Sequence, residues 1–223
     1  MKSLALIVAT LLGAAPIFGG TVDFDAVKPG ELPAGWIGGV TGKGEAHWAV
    51  VVEATAPSPR HHALKQSGAA KFCWCAQTNL LLQDGAVEVK FKPLSGKEDQ
   101  AGGLIWRWQD GNNYYVARAN ALEDNVTIYH TINGARKECG RKAMKVASNQ
   151  WHALRVDFHG PHFKVTFDGQ PALQWDDETF KNPGAVGVWT KADSVTLFDE
   201  FRFLPVLIDN PMPRSIDNPM PLR

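Results

Sequence analysis

Apolar and polar residues alternate with a period of two along most of this chain. In GAVEVKFKP, Val87, Val89 and Phe91 take turns with Glu88, Lys90 and Lys92, which gives a strand one buried and one wet face. HALRVDFHGPHFKVTFDG repeats the pattern. Leu154, Val156 and Phe158 point one way, Gly160-Pro161 offers a two-residue turn, and Phe163, Val165 and Phe167 return on the same side. A loop of Asp168, Gly169 and Gln170 would then set Phe167 opposite Pro171, Val165 opposite Leu173 and Phe163 opposite Trp175, keeping one apolar face across three strands. WAVVVEA, NLLLQ, GGLIWRW, YYVARAN, VTIYHTI, GAVGVWT and SVTLFDEFRFL are further strand candidates, and turn signals recur about every 8–12 residues. Helical periodicity is nearly absent, and no compositional break marks a second domain before Leu204. The pattern predicts an all-β fold of two antiparallel sheets packed as a sandwich.

GGLIWRWQDGNNYYVARAN divides its own aromatic residues. With Asp110-Gly111 as the turn, Trp108 faces Asn113, Trp106 faces Tyr115 and Leu104 faces Ala117, a core-like set. The opposite face carries Ile105, Arg107, Tyr114, Val116, Arg118 and Asn120. Planar donors beside a ring suit a sugar, whose C–H face stacks while its hydroxyls take hydrogen bonds. The competing reading is that both arginines are ordinary sheet residues paired with acids.

The ends of the chain read differently from its middle. MKSLALIVATLLGAAPIFGG has one lysine, an apolar run from Leu4 to Phe18 and small residues after it, the pattern of a secretory signal peptide over residues 1–20. That run is shorter than the roughly 18–20 residues of a membrane span, so the expectation is a secreted or periplasmic domain over residues 21–204. Residues 205–223 are rich in proline and carry IDNPMP twice, which predicts a disordered tail. Charge is balanced at 23 Lys+Arg and 23 Asp+Glu, which argues against nucleic acid as the partner. Three cysteines leave at least one thiol unpaired. Cys73 and Cys75 share a strand face, where direct bridging is strained. One of them paired with Cys139 is one arrangement; free buried thiols are the default. C-x-C with one distant cysteine is not a zinc spacing.

Several stretches together resemble one family. FKPLSGKEDQAGGLIWRWQDGNNYYVARANALEDN, WHALRVDF, FDGQPALQWDDETF and GAVGVWTKADSVTLFDEF, with the opening VDFDAVKPGELPAGW, are similar to the exported 3-keto-disaccharide hydrolase-like family. The resemblance spans residues 21–204 and implies a concanavalin A-like, laminin G-like jelly roll whose concave sheet face holds a glycan. By motif it marks Arg107, Tyr114, Arg118 and Asn120 as ligand-face candidates, and VWTKADS adds Trp189, Lys191 and Asp193. Carbohydrate binding without turnover is the first functional expectation. Hydrolysis of a glycoside such as a 3-keto disaccharide is the second, and an adhesion module that binds protein is the third. The cysteines of FCWCA and the repeated tail depart from the family pattern, and the E-x-D-x-x-E strand motif of laminarinase-type glycanases is missing.

A glycosidase needs two carboxyl groups flanking the scissile bond. Glu123 or Asp124 with Asp193 is the candidate pair, against a reading of all three as loop acids and caps. No cofactor is required. A structural calcium is a further expectation, held by Asp23, Asp25 and Asp199 where the terminal strands meet. His159, His162, His61 and His62 read as solvated turn and loop histidines, and Asn125-Val126-Thr127 is an N-glycosylation sequon.

Overall fold

The computed structural model describes residues 19–206, so most of the leader and the repeated tail lie outside the described residues. In chain order the strands are β1 (Gly20–Val22), β2 (Trp36–Glu45), β3 (Trp48–Val52), β4 (His62–Gln66), β5 (Ala69–Leu82), β6 (Gly85–Ser95), β7 (Ala101–Asp110) and β8 (Asn113–Asn120). They continue with β9 (Asn125–Ile132), β10 (Ala135–Ala143), β11 (His152–His159), β12 (His162–Phe167), β13 (Gln170–Asp176), β14 (Gly184–Ala192) and β15 (Val195–Pro205). Every pairing is antiparallel. One sheet runs β13-β12-β11-β6-β15-β4-β3 with β1 added to β15; the other runs β10-β9-β8-β7-β14-β5-β2. β1 begins at Gly20, opposite Phe203, and β15 reaches Pro205.

Period-two alternation decides what lies between the sheets. Val87, Val89, Phe91, Leu154, Val156, Phe158, Phe163, Val165 and Phe167 all enter the core from the eight-stranded sheet. Cys73, Cys75, Leu104, Trp106, Tyr115, Ala117, Val186 and Val188 meet them from the other sheet. At roughly 25 cal/mol per Å² of apolar surface removed from water, this layer is the main stabilising term. Gly102 sits where the Phe91 ring crosses the gap, and a side chain there would overlap the ring.

Both hairpin readings hold in part. His159 pairs with His162 around Gly160-Pro161, and Val165–Leu173 and Phe163–Trp175 face each other as the pattern predicts. The following loop is shorter than expected. Phe167 pairs with Gln170 across Asp168-Gly169, both at positive φ as a tight type I′ turn requires, and a bulge after Val165 restores the register. In QDGNN the turn is Gly111-Asn112, because Asp110 pairs with Asn113. A bulge between Trp106 and Asp110 compensates, so Trp106 still faces Tyr115 and Leu104 still faces Ala117. Trp108 does not face Asn113; it packs on Trp74, outside the main core.

The seven-stranded sheet is strongly curled. Adjacent strands lie about 4.8 Å apart, so β10 and β5, five steps apart, would be separated by roughly 24 Å on a flat sheet. Yet the Arg136 guanidinium of β10 lies 4.4 Å from the centre of the Phe72 ring on β5. Thr41 of β2 hydrogen-bonds Tyr114 of β8 at 2.8 Å, although four steps separate those strands. The face turned away from the main core is therefore concave. A second apolar cluster fills its floor: Phe72, Trp74, Ile105, Tyr114, Val116, Tyr129 and Trp189.

Candidate functional site

Alternation along β8, β9 and β14 aims Tyr114, Arg118, Asn120, Asn125, Thr127, Tyr129, Trp189 and Lys191 into this curl. Most of them are fully covered: Tyr114, Asn120 and Trp189 are 0% exposed and Arg118 1%. The face opens at one end, where a cleft of about 600 Å³ is lined by Lys71, Phe72, Glu98, Arg136, Lys191 and Asp193. That volume lies in the range of small-ligand sites.

A polar network underlies the opening. Arg118 Nη2 donates to Glu123 Oε2 at 2.6 Å and to the Tyr129 hydroxyl at 3.1 Å, and Nη1 donates to Asn125 Oδ1. Asn125 Nδ2 donates back to Glu123 at 3.0 Å. Burial alone would raise the Glu123 pKa, but the Asn125 hydrogen bond and the Arg118 charge hold it below the ordinary carboxylate value. Asp99 is the opposite case. It is 0% exposed, and burial raises its pKa even though Lys191 Nζ and Asn120 Nδ2 both donate to it. The two acids, on the β6–β7 and β8–β9 loops, thus differ in proton affinity, an arrangement that acid–base chemistry uses.

The lip of the cleft is built by Asp193. Its carboxylate accepts the backbone N–H groups of Lys97, Glu98 and Asp99 at 2.6, 3.0 and 3.1 Å. The Lys97 N–H leads the contacts that lower its pKa. Ala192 beside it is held at φ 52°, in the left-handed region that costs a non-glycine residue about 1 kcal/mol or more.

The structure brings Arg118, Asn120, Tyr114, Trp189, Lys191, Glu123 and Asp193 to one curled face, the first four beneath it. It takes Arg107 and Asp124 elsewhere. The bulge in β7 holds Arg107 at φ 46° and sends its guanidinium to the carbonyls of Gln83, Phe180 and Gly160 and to Asp84, over the rings of Phe158 and Phe163. Arg107 is a clamp between loops, not a member of the concave face. Asp124 pairs with Lys145 and accepts the Val146 N–H, fastening the connection after β10. Asn125 is 5% exposed with its amide engaged by Glu123, so the sequon does not present an accessible acceptor.

All three cysteines are free thiols, Cys73 and Cys75 buried on one face of β5 as their spacing predicts. Burial pushes the Cys73 thiol up to about 11. Asp25 accepts the N–H groups of Arg60 and His62, and Asp199 accepts that of Ser58. Two of the carboxylates expected to hold calcium, Asp25 and Asp199, thus accept backbone amides of the 58–62 loop. Asp23 accepts the N–H of Asp25. Among the described residues, the group of three acidic, histidine or cysteine side chains whose ligand atoms all lie within 4.8 Å of one another is His130, Cys139 and Asp177. There Asp177 already accepts Tyr115 at 2.6 Å and His130 at 3.0 Å. His159 and His162 are exposed turn residues, as expected.

Sequence reasoning missed Arg136 and Asp99. Arg136 lies in ARKECGRKA among several cations of a polar edge strand, and only the curl carries it over the aromatic floor. Asp99 in GKEDQ looks like a loop acid, and only the three amides held by Asp193 fold it inward.

Comparison with solved structures decides the architecture. A carbohydrate binding module of type CBM66 from Bacillus subtilis superposes with a TM-score of 0.61 at 19% identity, over 75% of this chain and 93% of that one. This is a jelly-roll sandwich. The Bacillus licheniformis beta-glucanase matches at 0.54 and 14% identity, over 84% of this chain and 99% of that one. The globular domain of T. cruzi calreticulin matches at 0.55 and 10%, over 84% and 88%. At these identities the likeness is one of fold. No protein-family model matches the chain, and no curated protein does. No helix among the described residues is long and apolar enough to cross a membrane.

Proposed function

We propose that this protein is an exported carbohydrate-binding domain that receives a glycan at the open end of its concave sheet. The observation that carries the reading is the cleft itself. The Phe72 ring, the planar Arg136 donor and the charged side chains of Lys71, Glu98, Lys191 and Asp193 line it above a buried aromatic floor, and solved jelly rolls of this fold include a carbohydrate binding module. Binding ranks ahead of hydrolysis because of how the acids are held. Both oxygens of Asp99 are occupied under full burial, and Glu123 is tied to Arg118 and Asn125.

The second reading, hydrolysis of a glycoside such as a 3-keto disaccharide, draws on the opposite pKa directions of Asp99 and Glu123 and on the family resemblance. Incubation with a glycan panel that includes 3-keto glycosides, read by mass spectrometry, separates the two. Under the binding reading, glycans are retained and no product forms. Product formation that is lost in both Asp99→Asn and Glu123→Gln would replace it with hydrolysis.

A further inference from the structure

Arg136 is anomalous among the buried and half-buried arginines. Arg107, Arg118, Arg155 and Arg202 each meet a carboxylate within 4.0 Å. Arg136 meets none among the described residues, and its Nη1 is buried without an acceptor. Three rings hold its guanidinium instead, with Tyr129 at 4.0 Å, Phe72 at 4.4 Å and Trp189 at 5.5 Å from the ring centres. Such packing covers the faces of the ion and leaves its N–H edge as the part able to bond. A desolvated charged donor without an acceptor is costly, and burial accordingly lowers the proton affinity of this group.

The other charges of the cleft are largely matched from within. Lys191 donates to Asp99, and the carboxylate of Asp193 is occupied by three backbone amides. Glu98 and Lys71 are exposed on the cleft lining, and the Lys71 ammonium lies 5.4 Å from the Phe72 ring. Among the described residues Lys71 and Arg136 are the cleft cations that meet no carboxylate, and of the two it is Arg136 whose donor is buried without an acceptor.

Building on the glycan reading above, we infer that the cleft selects an anionic sugar, with Arg136 as the group that receives the negative substituent. A planar guanidinium edge matches a carboxylate or a sulfate ester with two parallel hydrogen bonds, a geometry that a neutral hydroxyl does not reproduce. Sugar carboxylates and sugar sulfates share this chemistry.

The test is an array of paired glycans on which the full protein is scored. Each uronate-bearing oligosaccharide is printed beside its methyl ester, and each sulfated one beside its desulfated form. The expected result is binding to charged members about tenfold tighter than to their neutral partners. That preference should be lost in Arg136→Met, which keeps an apolar stem over the rings, and be partly retained in Arg136→Lys. Thermal melting of each variant confirms that it is folded, and the wild-type charged-to-neutral ratio needs no variant. Equal or better binding of neutral members would overturn the inference while leaving the glycan reading intact. A charge preference that survives in folded Arg136→Met would overturn the assignment to Arg136. No binding to any member would overturn both readings. The uronate and sulfate arms identify which anion is taken.

Discussion

Two arginines in this chain look alike in sequence and do opposite work. Arg107 is 2% exposed and satisfies three carbonyls and one carboxylate, so it fixes the loops around Gln83, Gly160 and Phe180 against β7. Its replacement takes the shared donor from those half-buried acceptors, and Asp84 keeps only the Gly160 N–H and His159. Arg107→Met should cost about 3–5 kcal/mol in urea denaturation, while any glycan profile of the folded fraction stays unchanged. A loss under 1 kcal/mol would contradict the clamp. Alternation was enough to place Arg118 and Asn120 on the concave face, because β8 is regular there. It failed for Arg107, because a positive φ inside a bulge reverses which way a side chain points. Burial was not legible either. Tyr114 and Trp189 do face the curl, but whether a curl closes over its own rings depends on strands far apart in sequence.

At the scale of elements, turns and bulges decided how well the pattern could be read. Gly160-Pro161 gave the correct pairing directly. In QDGNN the turn was displaced by one residue, and the bulge before it absorbed the difference, so the central pairs came out right for a compensated reason. The curl is held by a latch of the same small size. Thr41 Oγ1 donates to the carbonyl of Gly111 at 2.5 Å and lies 2.8 Å from the Tyr114 hydroxyl, joining β2 to the β7–β8 hairpin. Thr41→Val keeps the shape and removes both bonds. It should lower stability by about 1–2 kcal/mol and speed hydrogen exchange in β2 and at Gly111-Asn112, leaving β6, β11 and β12 protected as before. Uniform loss of protection would mean that the latch is not a local one.

Across the whole molecule, a half-buried acid and a buried one shape the response to pH in opposite directions. Burial would raise Asp177, but hydrogen bonds from Thr179, Tyr115 and His130 bring it down to about 2 from an ordinary 3.8. Its stabilisation is present above pH 3.8 and is lost as pH falls toward about 2. Asp199 is raised to about 6 by burial despite its amide hydrogen bonds. The folded state therefore keeps a proton that the unfolded chain sheds, and that contribution declines as pH rises from 3.8 through about 6. Each effect is worth at most about 2–3 kcal/mol. Thermal melting between pH 2 and 8 should show a maximum in mild acid from these two groups. Asp177→Asn should flatten the acid limb and Asp199→Asn the limb above pH 4. Unchanged limbs in both variants would remove these acids from the account. The all-β architecture and the two-sheet sandwich were written in the alternation, since it reports burial directly. The curvature of one sheet was not, because curvature arises from bulges and side-chain latches that periodicity averages away.

That curvature also leaves β10 as a border, where a row of free backbone groups would ordinarily invite another strand. The pairing of β10 with β9 slips at Cys139, between Glu138 and Gly140, so the border is kinked rather than flat. Lys137, Arg141 and Lys142 crowd it with positive charge, while Arg136 turns inward. Bulges and cations are the devices by which sheet proteins discourage edge-to-edge growth. The strand that supplies Arg136 thus also carries the kink and the cations that make edge-to-edge pairing between copies unfavourable.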